Sequence, residues 1–418
     1  MIRESALPGG LRLLTERMPD VRSATLGIFA QVGSSEEPAG RRGISHLLEH
    51  MIFKGTTRRT ARRIAEEMDA VGGNLNAATD KELTVYYAHV MDKHLPLAVD
   101  VLSDMFLHSL FDAEELRKER DVVLEEIKMY DDSPDEVIND AFARTLWNGA
   151  NLGDPTIGFA HTVAAIGRDE LAAWHRERYS PGTVLIAAAG NLDHDELATR
   201  LGEAFATFGG SAVAAEPEQP VFHPAVTVTH DDTAQAYVML GMPGLSMRDE
   251  RRYTLSVLDT ILGGGMSSRL FQSVREERGL AYEVSSFQQA YRAAGLFGVS
   301  AGTSPERVQE CVDVIVDQID GLVEGGVTAD EVARAREHLK GNMTLALEST
   351  SSRMSRLARN AIVHGRQISA EEVEARFDAV EAADVNALAR ELFTGERGLC
   401  VLGPLAADAV RLRRPNRV

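Results

Sequence analysis

Only two cysteines, Cys311 and Cys400, occur in the 418 residues. That excludes a disulfide framework and a cysteine-based zinc site. Long apolar runs are missing too: none approaches the roughly 20 residues a membrane-crossing helix needs. The first residues, MIRESALPGGLRLLTERMPD, lack the apolar stretch of a secretory signal, and the PGG turn and acidic residues interrupt any transit-peptide pattern. The expectation is a cytoplasmic protein that starts at its first strand. Basic charge is also in short supply, with 44 Lys and Arg against 63 Asp and Glu and a net charge of −19. Nucleic acid is thereby disfavoured as a partner, because binding phosphates requires a basic surface. Surplus acid keeps a protein soluble, and an acidic cleft would steer basic peptides towards it.

What is present is a soluble globular composition, 44% apolar and 26% charged. The length suits two or more domains of roughly 100–200 residues each. The chain also repeats itself. RSATLGIFAQVGS (22–34) reads as a half-buried strand, and TAQAYVMLGMPG (233–244) has the same character. Residues 169–197 read as a helix, a Pro-Gly turn and an apolar strand, and 383–410 read the same way. Leu171 falls on Val385, Tyr179 on Phe393 and Leu185 on Leu399, each 214 residues later. The stretch GGSAVAAEPEQPVFHP (209–224) has no helical period and reads as a linker. The predicted fold is α+β, with two homologous units, each a largely antiparallel sheet with helices packed on one face. The predicted boundaries are 1–208, the linker 209–224, and 225–418.

The stretch GISHLLEHMIFKGT (43–56) carries chemistry. Ser45 is the predicted cap of a helix on which His46, Glu49, His50 and Phe53 share one face. Leu47, Leu48, Met51 and Ile52 cover the rest, so the helix should be buried. Burying two imidazoles and a carboxylate is costly unless something binds them. Histidines at i and i+4 can both reach one zinc ion at about 2.0–2.1 Å. H-x-x-E-H is the inverted zinc-protease motif, with its glutamate as general base. The alternative is a partly exposed face with two ordinary histidines. A third ligand would come from DAEELRKERDVVLEEIKMY (112–130), with Asp112 as N-cap and an apolar stripe of Leu116, Val123, Ile127 and Tyr130. Glu119 and Glu126, two turns apart, stand on nearly one face, and Glu125 is turned about 100° towards solvent. On the spacing of this helix alone, these acids read as a solvated charged face.

HLLEHMIFKGT, GGNLNAATDKELTVYYAHV (72–90) and ERDVVLEEIKMYDDSPDE (119–136) resemble the pitrilysin family of inverted-motif zinc peptidases. That family includes insulin-degrading enzyme and the mitochondrial processing peptidase. The length resembles its short-chain bacterial branch. The resemblance implies a zinc endopeptidase acting on peptides or unfolded segments, with one Zn2+ per chain held by His46, His50 and Glu126. It implies Glu49 as the base and Glu119 as a supporting acid that orients a ligand. Phe53, Asn76 and Ala77 match substrate-binding positions, the last two on an edge strand that would pair with a peptide backbone. In the second half, SSRLF and REERGLAY resemble the family's unit without a metal motif. There Arg275 and Tyr282 match an arginine–tyrosine pair suited to an oxyanion. Arg278 is the rival to Arg275, and the glycines 263–265 suit a hinge, a close contact or a loop. The resemblance further implies a homodimer in which Arg275 and Tyr282 act in trans. A processing-peptidase subunit with a different partner chain, or a non-catalytic structural subunit, are its alternatives. GANLGDPTIG (149–158) departs from the family's His-Pro-Leu-Gly-like segment, so specificity does not carry over.

Overall fold

Unbroken runs of small and apolar residues, such as ATLGIFA and VLIAAAG, suit strands covered on both faces. They lie in the middle of a six-stranded sheet ordered β1-β2-β6-β3-β5-β4. Its strands are β1 (Ile2–Ala6), β2 (Arg12–Arg17), β3 (Ser23–Ala30), β4 (Asn74–Thr79), β5 (Thr84–Met91) and β6 (Val184–Gly190). A second sheet, ordered β7-β11-β8-β10-β9, is built from β7 (Val226–His230), β8 (Ala236–Pro243), β9 (Ala281–Ala290), β10 (Gly295–Thr303) and β11 (Gly398–Gly403). The structure is a computed structural model and describes residues 1–414.

Both sheets are largely antiparallel, and each has one parallel pair at the same place: β2 with β6, and β7 with β11. Remove β1 and the two strand orders coincide. The repeated positions agree as well, since Leu171, Tyr179, Leu185, Val385, Phe393 and Leu399 are all buried. Residues 209–224 carry no regular secondary structure.

One face of the first sheet packs Leu26, Ile28, Tyr86 and Ile186 against helices that include Ile44–Ile52, Leu95–His108 and Ala113–Asp131. One face of the second packs Val238, Leu240, Phe297 and Val401 against Arg252–Leu262, Val308–Gly325 and Ala382–Phe393. The opposite faces are covered too, which is why β3 is buried on both sides rather than half-buried. On the first sheet, Leu14, Phe29, Leu185 and Ala187 meet Met354, Leu357 and Ala358 of the helix Thr350–His364. On the second, Met239, Leu296, Cys400 and Leu402 meet Ile138, Phe142 and Leu146 of the helix Pro134–Leu146.

Each covering helix comes from the opposite half of the sequence. The first unit comprises Met1–Lys128, Asp154–Glu216 and Leu345–Gln367, and the second Met129–Gly153, Pro217–Thr344 and Ile368 onward. Beyond the single passage near 209–224, the chain therefore passes between the units four more times, out and back after Lys128 and Gly153 and again at Thr344 and Gln367. Glycines make room for the exchange. A Cβ on Gly27 of β3 would fall 2.7 Å from Met354 Sδ, and one on Gly241 of β8 would fall 2.3 Å from Leu146 Cδ1. These glycines are themselves 214 residues apart.

Candidate metal centre

Ile44, Leu47, Leu48, Met51 and Ile52 are fully buried, so the helix Ile44–Ile52 is fixed by apolar packing around most of its circumference. Ser45 does not cap it. Gly43 precedes the helix at φ 92°, and Ser45 lies inside the first turn. The cap comes from the preceding loop. Glu37 accepts hydrogen bonds from the Gly43 amide at 2.7 Å and the Ser45 amide at 2.8 Å. A carboxylate there answers orphan amides at the positive end of the helix. Burial nonetheless pushes the Glu37 carboxyl up to about 7, against the pull of the two amides and of Arg42. Gly43 is required twice over, by its positive φ and because a Cβ would stand 2.4 Å from the Ile157 carbonyl oxygen.

The helix Ala113–Asp131 is capped as expected. Asp112 Oδ1 accepts from the amides of Glu114 and Glu115 at 2.9 and 3.1 Å. Leu116, Val123 and Ile127 are buried. Tyr130, expected to continue that stripe, is exposed, because the helix leaves the first unit at Lys128. Glu125 faces solvent and pairs with Lys128.

These two helices bring His46, His50 and Glu126 together. Glu126 Oε2 lies 3.9 Å from His46 Nε2 and 3.7 Å from His50 Nε2. The three donor atoms lie within 4.8 Å of one another, the one such group of His, Cys, Asp and Glu among the described residues. Ligands at about 2.0–2.1 Å from a tetrahedral zinc stand roughly 3.4 Å apart, so the set needs only a small contraction. The nitrogen of His46 that approaches Glu126 is Nε2; its other nitrogen, Nδ1, is buried without a hydrogen-bond partner. Burial, reinforced by the charge of His50, holds His46 down at about 4. It is neutral at ordinary pH, as a metal-binding imidazole must be. Two imidazole nitrogens and a carboxylate oxygen gathered at one place fit a zinc ion.

Glu119 lies behind His50, on the ring nitrogen that faces away from Glu126. Its Oε2 lies 3.1 Å from His50 Nδ1, and its Oε1 lies 2.6 Å from Lys54 Nζ. Burial works against the charged carboxylate, but the bonds to His50 and Lys54 outweigh it and hold Glu119 below the usual range. Burial also disfavours protonated His50, yet the hydrogen bond to Glu119 and the charges of Glu126 and Glu49 raise it on balance. An ionised Glu119 on Nδ1 turns His50 Nε2 towards Glu126.

Glu49 leaves the donor set and meets Thr79, whose hydroxyl donates to Oε2 at 2.5 Å. Burial is the main influence on it and raises its carboxyl above the ordinary value, although Thr79 and His50 pull the other way. Thr79 was missed in the sequence. It was accessible through strand alternation, because it shares the half-buried face of β4 with Ala77, while Asn76 points outward. Among the described residues β4 pairs only with β5, which makes it the edge strand of its sheet. Phe53 is half-buried against the core. The loop that departs from the family pattern packs at the start of the motif helix, where Arg42 Nε donates to Asp154 Oδ2 at 2.8 Å.

Arg275 and Tyr282 lie in the second unit. The guanidinium of Arg275 sits 4.6 Å from the Tyr282 ring centre and 4.7 Å from that of Phe271, and Tyr282 is 79% exposed. The helix Phe271–Glu276 has ended before Gly279, at φ 55°, and Tyr282 belongs to β9. Arg278 turns instead to the Ser273 carbonyl and to Glu277. Gly263 and Gly264 serve close packing, since a Cβ would fall 2.2 Å from Ser286 N and 2.7 Å from Thr260 Cα respectively. No helix among the described residues is long and apolar enough to cross a membrane.

Similarity to known proteins runs along nearly the whole chain. Residues 12–159 match the insulinase family, peptidase family M16, and residues 165–339 match the peptidase M16 inactive domain. An uncharacterized zinc protease of Streptomyces coelicolor is 44% identical, over 97% of this chain and 90% of its own. One of Bacillus subtilis is 40% identical, over 97% of this chain and 98% of its own. The fold matches the crystal structure of a peptidase M16 inactive domain from Pseudomonas fluorescens with a TM-score of 0.90, at 21% identity over 97% of this chain and 99% of that one. Relatives at 40% identity and above along nearly their full lengths, matched in both halves, make this chain a member of the insulinase (M16) peptidase family in its short bacterial form.

Proposed function

We propose that the chain is a zinc-dependent endopeptidase for peptides or unfolded segments. The observation that carries this reading is the gathering of His46, His50 and Glu126, with the half-buried carboxylate of Glu49 beside them. The names of the relatives support it. His46, His50 and Glu126 would hold one zinc ion per chain, which supplies Lewis-acid polarisation of a carbonyl and makes water acidic enough to attack near neutral pH. Glu49 takes the proton from that water and passes it to the leaving amine. A carboxyl raised by burial suits both halves of this transfer. Thr79 fixes the orientation of Glu49, and Glu119 that of His50. The edge strand β4, around Asn76 and Ala77, accepts an extended peptide through backbone hydrogen bonds, which gives broad sequence tolerance.

The exposed Arg275–Tyr282 pair suits a developing oxyanion or a substrate carbonyl. In this reading the enzyme is a cytoplasmic homodimer, and each chain lends that pair to its partner's centre. A chain that carries both a full donor set and this pair has no need of a different partner chain, and the full set speaks against a purely structural subunit. The primary test is Glu49→Gln. Zinc content by plasma emission should stay near one per chain while peptide cleavage disappears. Turnover in that variant would remove Glu49 as the base. For the shared site, Glu49→Gln and Tyr282→Phe chains, each inactive alone, should regain activity when mixed; no recovery would refute sharing in trans.

A further inference from the structure

We propose that Glu37 is a positioning residue for the metal centre: its buried carboxylate bridges the first-turn amides of the motif helix and so sets where His46 carries its ring. The inference rests on the zinc reading above and extends it to a residue outside the H-x-x-E-H motif.

Glu37 is 1% exposed and spends both oxygens on this helix, Oε2 on the Gly43 amide and Oε1 on the Ser45 amide. His46 is the next residue. The strut is held from behind as well. Arg42 donates to the Glu37 carbonyl and, through Nε, to Asp154. Thr162 Oγ1 donates to the Arg42 carbonyl at 2.7 Å. A Cβ on Gly158 would come 2.3 Å from that same carbonyl, so the loop lies directly against residues 42–43. The start of the helix is thus pinned on two sides, and Glu37 is the side-chain acceptor for its Gly43 and Ser45 amides. His46 Nδ1 makes no hydrogen bond of its own. His50, by contrast, is aimed by Glu119. The orientation of His46 therefore depends on the backbone that carries it, and the backbone depends on Glu37.

Glu37→Gln replaces one acceptor by an amide donor, so one of the two helix amides then faces a donor in a buried place. The first turn must shift to relieve this. Residues that aim a ligand without touching the metal typically change metal affinity by about 10–100-fold. The experiment is a competitive zinc titration of metal-free protein against a chromophoric chelator, on wild type, Glu37→Gln and Asp193→Ala. Asp193 is the matched control, because it caps the helix His194–Ala204 through the amides of Asp195 and Glu196, both at 2.9 Å, in the same unit and outside the donor set. Glu37→Gln should raise the zinc dissociation constant by about tenfold or more. Asp193→Ala should lower the melting temperature and leave zinc affinity at the wild-type value. Wild-type affinity in folded Glu37→Gln would overturn the proposal, as would equal weakening in the control. If Glu37→Gln does not fold, Glu37→Asp, which keeps the charge and withdraws it by one methylene, is read the same way. Failure of the wild type itself to bind zinc would refute the zinc reading instead, and is told apart by that measurement alone.

Discussion

The helices Ile44–Ile52 and Arg252–Leu262 occupy the same step in their units, after β3 or β8 and before the edge hairpin. Both aim a half-buried carboxylate at a hydroxyl on the edge strand: Glu49 at Thr79 of β4, and Asp259 at Ser286 of β9. Asp259 also accepts from Gln288 Nε2 at 2.9 Å, and burial raises its carboxyl as it does that of Glu49. Around this shared hook the chemistry diverges. Three residues before and one after Glu49 stand His46 and His50; the same offsets from Asp259 give Ser256 and Thr260. Each unit thus ties a helix carboxylate to a hydroxyl of its edge strand, although in strand register Ser286 falls on Leu75 rather than on Thr79, and only the first unit sets imidazoles beside the carboxylate.

The sharpest way to break this comparison is to neutralise each carboxylate in turn. Glu49→Gln should lower kcat/KM by about 10²–10⁴-fold, the range of general-base catalysis. Asp259→Asn should leave cleavage unchanged and alter only the stability of the second unit. A comparable loss from Asp259→Asn would mean that the second hook takes part in the reaction.

The exchanged helices give a second, smaller contrast. Phe142→Ala empties a fully buried site on the second sheet and should cost about 3–5 kcal/mol, and Met354→Ala on the first roughly 2–5 kcal/mol. Urea unfolding followed unit by unit measures both. Losses below about 1 kcal/mol would show that the helices are only loosely held.

The smallest effect is in pH. Burial opposes ionisation of Glu331, but the bonds from Arg269 and Thr328 outweigh it and lower its carboxyl to about 2 from an ordinary 4.5. A depressed value stabilises the fold above 4.5, and that contribution fades as pH falls towards 2. Glu37, raised from 4.5 to about 7, has the opposite sign: its contribution is present below 4.5 and is lost as pH rises through 7. Glu331→Gln should therefore weaken the second unit at pH 6 and barely at pH 2.5. Glu37→Gln should differ from wild type in the slope of first-unit stability between pH 4.5 and 7. Parallel pH curves for variant and wild type would contradict either assignment.

Much of this was legible in the residues. Strand runs, helix faces and the 214-residue offset follow from local periodicity, and they placed Leu171 against Val385 and Leu185 against Leu399 correctly. Three features were not legible, for one reason: each depends on what a segment meets. Ile138, Phe142 and Leu146 announce a face to be buried but not which sheet buries it. Ser45 has a capping side chain, yet a carboxylate eight residues earlier reaches the amides first. Tyr130 continues an apolar spacing whose partner core ends two residues before it. The gathering of Glu126 with the histidines was expected from resemblance rather than from spacing, since helix-face arguments alone left that acid free to meet solvent.

The helix exchange bears on how the protein is made. A chain emerging amino end first completes every strand of its first sheet by Gly190, but the helix that shields the rear of that sheet runs from Thr350 to His364. Phe29, Leu185 and their neighbours stay bare until the ribosome has read nearly the whole message. For this protein, the window of exposure to aggregation or to chaperones during synthesis is set by that delay.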